Sequence, residues 1–186
     1  MAEFDVVVEV LSAIHLGSGS ADVNIDSEIV HDSFGLPYFP AKRFKGLLYE
    51  SALEVKEMFT LAEMDFDASI IENIFHHRSD KGGNISKIQL IVPNLYIKPY
   101  EEYQKLCTEW NYLQNEYPET FRPSDLLNVY TSIRYQTQLE DGVAVDGSLH
   151  NMRVLNSDIK FYGKLILKNS DNKHLQIIAF ALKNLS

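Results

Sequence analysis

The sequence predicts an α+β domain whose elements run strand, helix, strand, insertion, strand, helix. Three observations carry this expectation. Apolar residues recur at three- and four-residue spacing over 41–59 and 173–185, the mark of amphipathic helices. Valine-rich or alternating runs over 4–11, 86–97 and 159–167 read as strands around them. The 186 residues, 45% hydrophobic and 23% charged, suffice for one domain, 1–186, with its own core.

Phe4 to Leu11 opens the chain as a strand, and the consecutive valines Val6, Val7 and Val8 predict burial on both faces. Residues 12–40 lack helical periodicity and contain Gly17, Gly19, Gly35, Pro37 and Pro40. They form a long structured loop with short extended pieces such as Ser27 to His31, and loops of this length are usually functional. Ala41 to Phe59 is a helix through Phe44, Leu48, Ala52 and Val55, with Pro40 suited to its entrance. A short helix covers Asp67 to Phe75, and His76 to Asn84 is a polar turn ending in Gly82-Gly83. Ser86 to Ile97 returns to strand character, with Pro93 demanding an edge or a bulge.

Tyr100 to Tyr117 is a peripheral helix inside an insertion around 98–128. Val129 to Leu139 is extended, and Asp141-Gly142 and Asp146-Gly147 are turns bracketing Val143 to Val145. Met152 to Leu167 holds two extended pieces, and Lys173 to Leu185 is helical. This order is that of a ferredoxin-like unit, the architecture of RNA-recognition motifs, with loop insertions. Its last strand has no counterpart before Ser186. An unpaired sheet edge recruits another chain, so self-association is expected.

Several classes are excluded. The apolar runs fall well short of a membrane span, and the acidic start, Glu3 and Asp5, is no secretion signal. A single cysteine, Cys107, rules out an internal disulfide and a multi-cysteine zinc site, and fits the cytoplasm. Gly17-Ser18-Gly19-Ser20 lacks the Gly-Lys-Ser/Thr of a nucleotide-binding loop. Its glycines either let the backbone run close to RNA or make a turn.

Charge points two ways. Seventeen Lys+Arg against 26 Asp+Glu give −9, whereas nucleic-acid binders are usually basic. Binding needs only a local groove, however. Lys42, Arg43 and Lys45 cluster without an acid in the first turns of a helix, where cations oppose the macrodipole. Phosphate binding fits such a cluster, and a solvated basic face is the alternative. Gly46 in the same helix costs ~1 kcal/mol relative to alanine, which implies close approach of a strand or of RNA. His76-His77 with Asp80 lacks a spaced third metal ligand and reads as surface. The tyrosines between Tyr96 and Tyr117 sit in acidic surroundings that favour protein contact or packing over base stacking.

One ordered set of motifs is more specific. His15-Leu16-Gly17-Ser18-Gly19, Ile25-Asp26-Ser27, Leu36-Pro37-Tyr38-Phe39-Pro40 and Phe44-Lys45-Gly46-Leu47 follow one another over residues 6–50. The set resembles the N-terminal signature of the RAMP superfamily of CRISPR RNA-binding proteins. Arg134 to Thr137, Gly142-Val143-Ala144 and Phe161-Tyr162-Gly163 resemble its mid-domain segment, whereas residues 60–128 match loosely. The chain departs from the family at Ala41-Lys42-Arg43, where many members carry a Gly-Ser-Ser trio, and in the glycine-rich loop expected after the last helix.

The resemblance implies a guide-RNA-binding backbone subunit of a type III-like effector, partnered by guide RNA, target RNA and other effector subunits. It implies RNA contacts at His15, Gly17, Ser18, Arg134 and Thr137, beside the basic cluster Lys42, Arg43 and Lys45. It also implies that Asp26, flanked by Asp22 and Asp32, cuts target RNA with Mg²⁺ or Mn²⁺; a plain turn-forming aspartate is the other reading. No cofactor is expected for folding. The alternative function is a protein-interaction subunit on the same fold without cleavage. A free-standing metal-independent RNase is a third reading, which lacks a clear histidine–tyrosine pair.

Overall fold

A computed structural model describes residues 1–22, 24–64, 66–75 and 88–185. The readings at His76, His77, Asp80 and Gly82-Gly83 lie outside the described residues. In chain order the first elements are β1 (Ala2–Glu9), β2 (Tyr38–Phe39), α1 (Ala41–Leu61), α2 (Ser69–Phe75), β3 (Gln89–Ile91), β4 (Leu95–Tyr96) and α3 (Tyr100–Glu116). There follow α4 (Pro123–Tyr130), β5 (Thr131–Gln136), β6 (Leu139–Glu140), β7 (Val143–Ala144), β8 (His150–Leu155), β9 (Lys160–Lys168) and α5 (Asn172–Asn184). The expected α+β class is what forms, with antiparallel pairing throughout the registers of β2 to β9. Two compact units divide the chain, Met1–Val6 with Pro40–Asn94 and Lys164–Ser186, and Val7–Phe39 with Leu95–Gly163.

The first unit is built by its helices. The apolar spacing of α1 buries Phe44, Leu48, Ala52 and Val55, and α1 packs against α5, which buries Ile177, Ile178 and Ala181. Each fully buried aliphatic or aromatic side chain of this kind stabilises the fold by about 1.5–3 kcal/mol. Ser51 is buried among them, and its hydroxyl donates to the Ala181 carbonyl at 2.8 Å, so its burial carries no unmet polar group. Here β9 pairs antiparallel with β3, matching Leu90 to Leu167, and Lys164 reaches Glu3 of β1 at 3.0 Å.

The strands follow the order β1-β9-β4-β2, and the second unit sets Tyr96 opposite Tyr162 and Phe39 opposite Leu95. Phe39 meets Phe161 edge-to-face at 5.9 Å, a favoured aromatic geometry. The pair β5–β8 runs in register from Thr131↔Leu155 to Gln136↔His150, and the short pair β6–β7 lies between them in sequence. The long loop before β2 is an organised ribbon. Gly17 bridges Ile29, and the ribbon joins β8 through the bridges Ile14↔Leu155 and Ser27↔Met152.

Three local readings change. Val7 is 55% exposed while Val6 is buried; successive side chains of a strand point to opposite faces, so β1 is covered on one face rather than both. Val129 and Tyr130, read as extended, end α4. Pro123 opens that helix, and the Asp125 carboxylate accepts the Arg122 N–H at 3.0 Å, a start signal that outweighs the strand propensity of Val129 and Tyr130. The strand around 86–97 is two strands, β3 and β4, with Pro93 between them, since proline cannot donate to a ladder.

Gly35 has a positive φ of +88°, and a Cβ there would lie 1.9 Å from the Pro123 carbonyl oxygen. The left-handed cost of about 1–2 kcal/mol and an overpacking cost of about 1–3 kcal/mol therefore act together in Gly35→Ala. Beyond its chain neighbours no described atom lies within 4 Å of a Cβ on Gly19, whose φ is +80°, so Gly19→Ala carries the conformational cost alone. Denaturant midpoints of the two variants should differ accordingly; equal shifts would disprove the close approach at Pro123.

Candidate functional site

The residues singled out by sequence fall into both units. In the second unit the ribbon places His15 and Asp26 along β8, and sets Gly17 and Ser18 against its own second arm at Ile29 and Glu28. His15 Nδ1–H donates to the Arg153 carbonyl at 2.7 Å, which fixes the ring. A Cβ on Gly17 would lie 2.7 Å from His15 Nε2, so the glycine leaves room for that imidazole. The Ser18 hydroxyl bonds the Glu28 carbonyl at 3.0 Å and the Ser20 hydroxyl at 2.6 Å.

Asp26 is held by a reciprocal exchange with Asn151, 125 residues away. Its N–H donates to Asn151 Oδ1 at 2.8 Å, and its Oδ2 accepts the Asn151 N–H at 2.8 Å. Asn151 Nδ2–H also donates to the Asn24 carbonyl at 2.9 Å. The carboxylate is pinned yet 56% exposed, with His150 Nδ1 3.8 Å from Oδ2. A fixed, solvated carboxylate of this kind can bind a hydrated cation or face a phosphodiester. The flanking acids behave differently. Asp22 exchanges backbone bonds with Ile25 in a tight turn. Asp32 is a loop brace, since its Oδ1 accepts the Phe34 and Leu36 N–H groups and its Oδ2 accepts the Tyr103 hydroxyl at 2.6 Å.

Arg134 and Thr137 lie on or beside β5, exposed, among the exposed Ile133, Tyr135 and Leu139. Thr137 Oγ1 pairs with Ser148 Oγ at 2.8 Å, and the two border a shallow polar groove of about 220 Å³ with Gln136, Gln138 and His150.

Beneath the ribbon lies a network that the sequence reading missed. Arg153 and Glu28 are buried, with Arg153 Nε 2.9 Å from Glu28 Oε1. The guanidinium also donates to Asn128 Oδ1 at 2.7 Å and Thr131 Oγ1 at 2.9 Å, and Glu28 Oε1 accepts the Ile29 N–H at 2.9 Å. The available signal was a lone arginine inside the apolar run Met152 to Leu155.

In the first unit, Lys42, Arg43 and Lys45 open α1, whose first turn carries no acid. The Ala41 N–H is taken by Asn94 Oδ1 at 2.8 Å. Lys42 and Arg43 are exposed and Lys45 is half-buried, which pulls its ammonium below the usual lysine range. Lys42, Lys45, Gly46, Tyr49 and Phe75 line a shallow groove of about 240 Å³. Beyond its chain neighbours and its own helix backbone, no described atom lies within 4 Å of a Cβ placed on Gly46, so the close approach expected there is not made by another element among the described residues.

No three His, Cys, Asp or Glu side chains gather as a metal-binding group among the described residues. No described helix is long and apolar enough to cross a membrane.

Solved structures share this fold. A chain of type III-B Cmr-beta bound to cognate target RNA matches with TM-score 0.60 and 11% identity, covering 96% of this chain and 88% of that one. A chain of type III-B Cmr-beta in the apo state matches with TM-score 0.61 and 13% identity, covering 95% and 87%. At these identities the likeness is one of fold. No curated protein matches the sequence. The family model of the RAMP superfamily matches residues 7–186, the span that holds the ribbon, both grooves and the pinned aspartate, and the chain therefore belongs to the RAMP superfamily.

Proposed function

We propose that this chain is a guide-RNA-binding backbone subunit of a type III CRISPR effector, and that Asp26 takes part in metal-dependent cleavage of target RNA. The observation that carries the reading is an exposed carboxylate, anchored on both sides by Asn151, in a chain of the RAMP superfamily. The fold-level likeness to a Cmr-beta chain whose complex holds cognate target RNA supports it. A cytoplasmic location and other effector subunits as partners follow from the same reading, and so does self-association along β1.

A single carboxylate is not a closed metal cage, but Mg²⁺ is commonly held by one or two carboxylates together with substrate phosphates. Asp26 would hold Mg²⁺ or Mn²⁺ jointly with RNA phosphate oxygens, and the ion would supply Lewis-acid stabilisation and an activated oxygen nucleophile. The protein's own contribution is position. Asn151 fixes the carboxylate, and His150 adds a polar group on one side of it.

Binding and cleavage separate experimentally. Arg134, Thr137 and His15 would contact RNA from one unit, and Lys42, Arg43 and Lys45 would contact phosphates from the other. Changing all three basic residues to glutamate should weaken single-stranded RNA binding. It should also flatten the dependence of log K on log salt by about 2, near 0.7 for each lost phosphate contact. Fluorescence anisotropy across a salt series measures both, and an unchanged slope would remove the basic groove from the reading.

The alternative, a protein-interaction subunit without cleavage, draws support from the net charge of −9 and from the glutamates of α3. It predicts no saturable RNA binding at physiological salt by the intact chain.

A further inference from the structure

A groove in the second unit is lined by none of the residues invoked above for RNA. Asp32, Phe34, Tyr96, Tyr100, Tyr103 and Cys107 line it, with a volume of about 600 Å³. We infer that this groove takes an arginine side chain presented by a partner protein.

The rings come first. Tyr96 and Tyr103 are stacked with centroids 4.2 Å apart, and Tyr100 lies 5.8 Å from Tyr96. Tyrosine faces attract cations, and a planar guanidinium both stacks on them and pairs with a carboxylate. Asp32 supplies that carboxylate. It accepts two backbone N–H groups and the Tyr103 hydroxyl, three of about four acceptor positions. No lysine, arginine or histidine of the chain forms a salt bridge with it among the described residues. The half-buried carboxylate thus keeps one acceptor position and its charge available to a guanidinium.

The surroundings choose the sign and the class of partner. Tyr100 opens α3, followed at once by the exposed Glu101 and Glu102, while the only cation of that helix, Lys105, lies 3.9 Å from Glu109. Such a field attracts a guanidinium and repels a phosphate backbone, so the groove favours a protein over RNA. Burial first and the Asp32 carboxylate second push the Tyr103 phenol far above its ordinary range, which keeps it protonated as the donor bracing Asp32.

The test is NMR titration of the full chain with Nα-acetyl-arginine amide, its uncharged isostere Nα-acetyl-citrulline amide, and a uridine hexamer. The arginine amide should shift tyrosine ring signals saturably, and the citrulline amide should not. Asp32→Asn, which keeps an acceptor oxygen, should weaken the arginine interaction about fivefold to tenfold. Tyr100→Ala, at an exposed ring, should weaken it without touching the fold. Equal binding of the citrulline amide, or no saturable shift, overturns the inference. Displacement of the arginine amide by the uridine hexamer would instead make the groove a base-stacking site, and overturns it too. None of these outcomes depends on cleavage or on the basic cluster, so the groove and the RNA reading fail separately.

Discussion

Asp26→Ala in the assembled effector, with Mg²⁺ or Mn²⁺ present, should abolish target-RNA cleavage at this subunit's position, a loss on the order of 10²–10⁴ or more, and leave target binding intact. The isolated chain should be nearly inert, because only an assembled guide–target strand would present a phosphodiester aligned for attack. Asp26→Asn separates charge from shape, since it keeps an oxygen to accept the Asn151 N–H and should still lose cleavage. Asn151→Ala removes the acceptor for the Asp26 N–H and should give an intermediate loss, as expected of a positioning residue. Asp22→Ala is the control for simple loop damage. Asp32→Ala is not a neutral control, because Asp32 braces Phe34, Leu36 and Tyr103, and it should lower thermal stability. Undiminished cleavage by the Asp26→Ala complex would sink the assignment, and equal loss in Asp22→Ala would reduce it to a structural effect.

The aspartate itself was legible in the sequence because its context is local. Ile25-Asp26-Ser27 and the Leu36 to Pro40 run are contiguous, so motif order alone marks the loop. What holds it was not legible. Asn151 is 125 residues distant, and no spacing or period announces a pairing across that distance. The same division applies to the fold. Helices α1 and α5 were visible because an amphipathic period needs only neighbouring residues. The exposure of Val7 was not, since consecutive valines do not reveal whether a second layer covers the other face of the strand. Helix α4 had its start signal in Pro123 and Asp125, but its two buried residues, Leu126 and Leu127, are adjacent and leave no helical period to read.

The largest stability effect should come from the pair that sequence reading passed over. Arg153→Met leaves Glu28 buried without its cation, and breaking a buried pair in this way typically costs about 3–5 kcal/mol. At about 2–4 °C per kcal/mol for a chain of this size, the melting temperature should fall by roughly 6–20 °C. Simultaneous Glu28→Leu and Arg153→Met should recover much of the loss, because apolar replacement removes both desolvation penalties. Recovery should stay incomplete, since Asn128 and Thr131 lose their donor and the Ile29 N–H its acceptor. The defect should also reach the site. The Arg153 N–H donates to the Ser27 carbonyl at 3.0 Å and its own carbonyl accepts from His15, so the segment around Asp26 hangs on the backbone of this residue. Hydrogen exchange of the Ile25 to Val30 amides should therefore rise in Arg153→Met more than that of α1, whose packing is independent of the pair. Uniform loss of protection would mean that the network supports overall stability without specifically organising the ribbon, and an unchanged melting temperature would show that the buried pair is energetically idle.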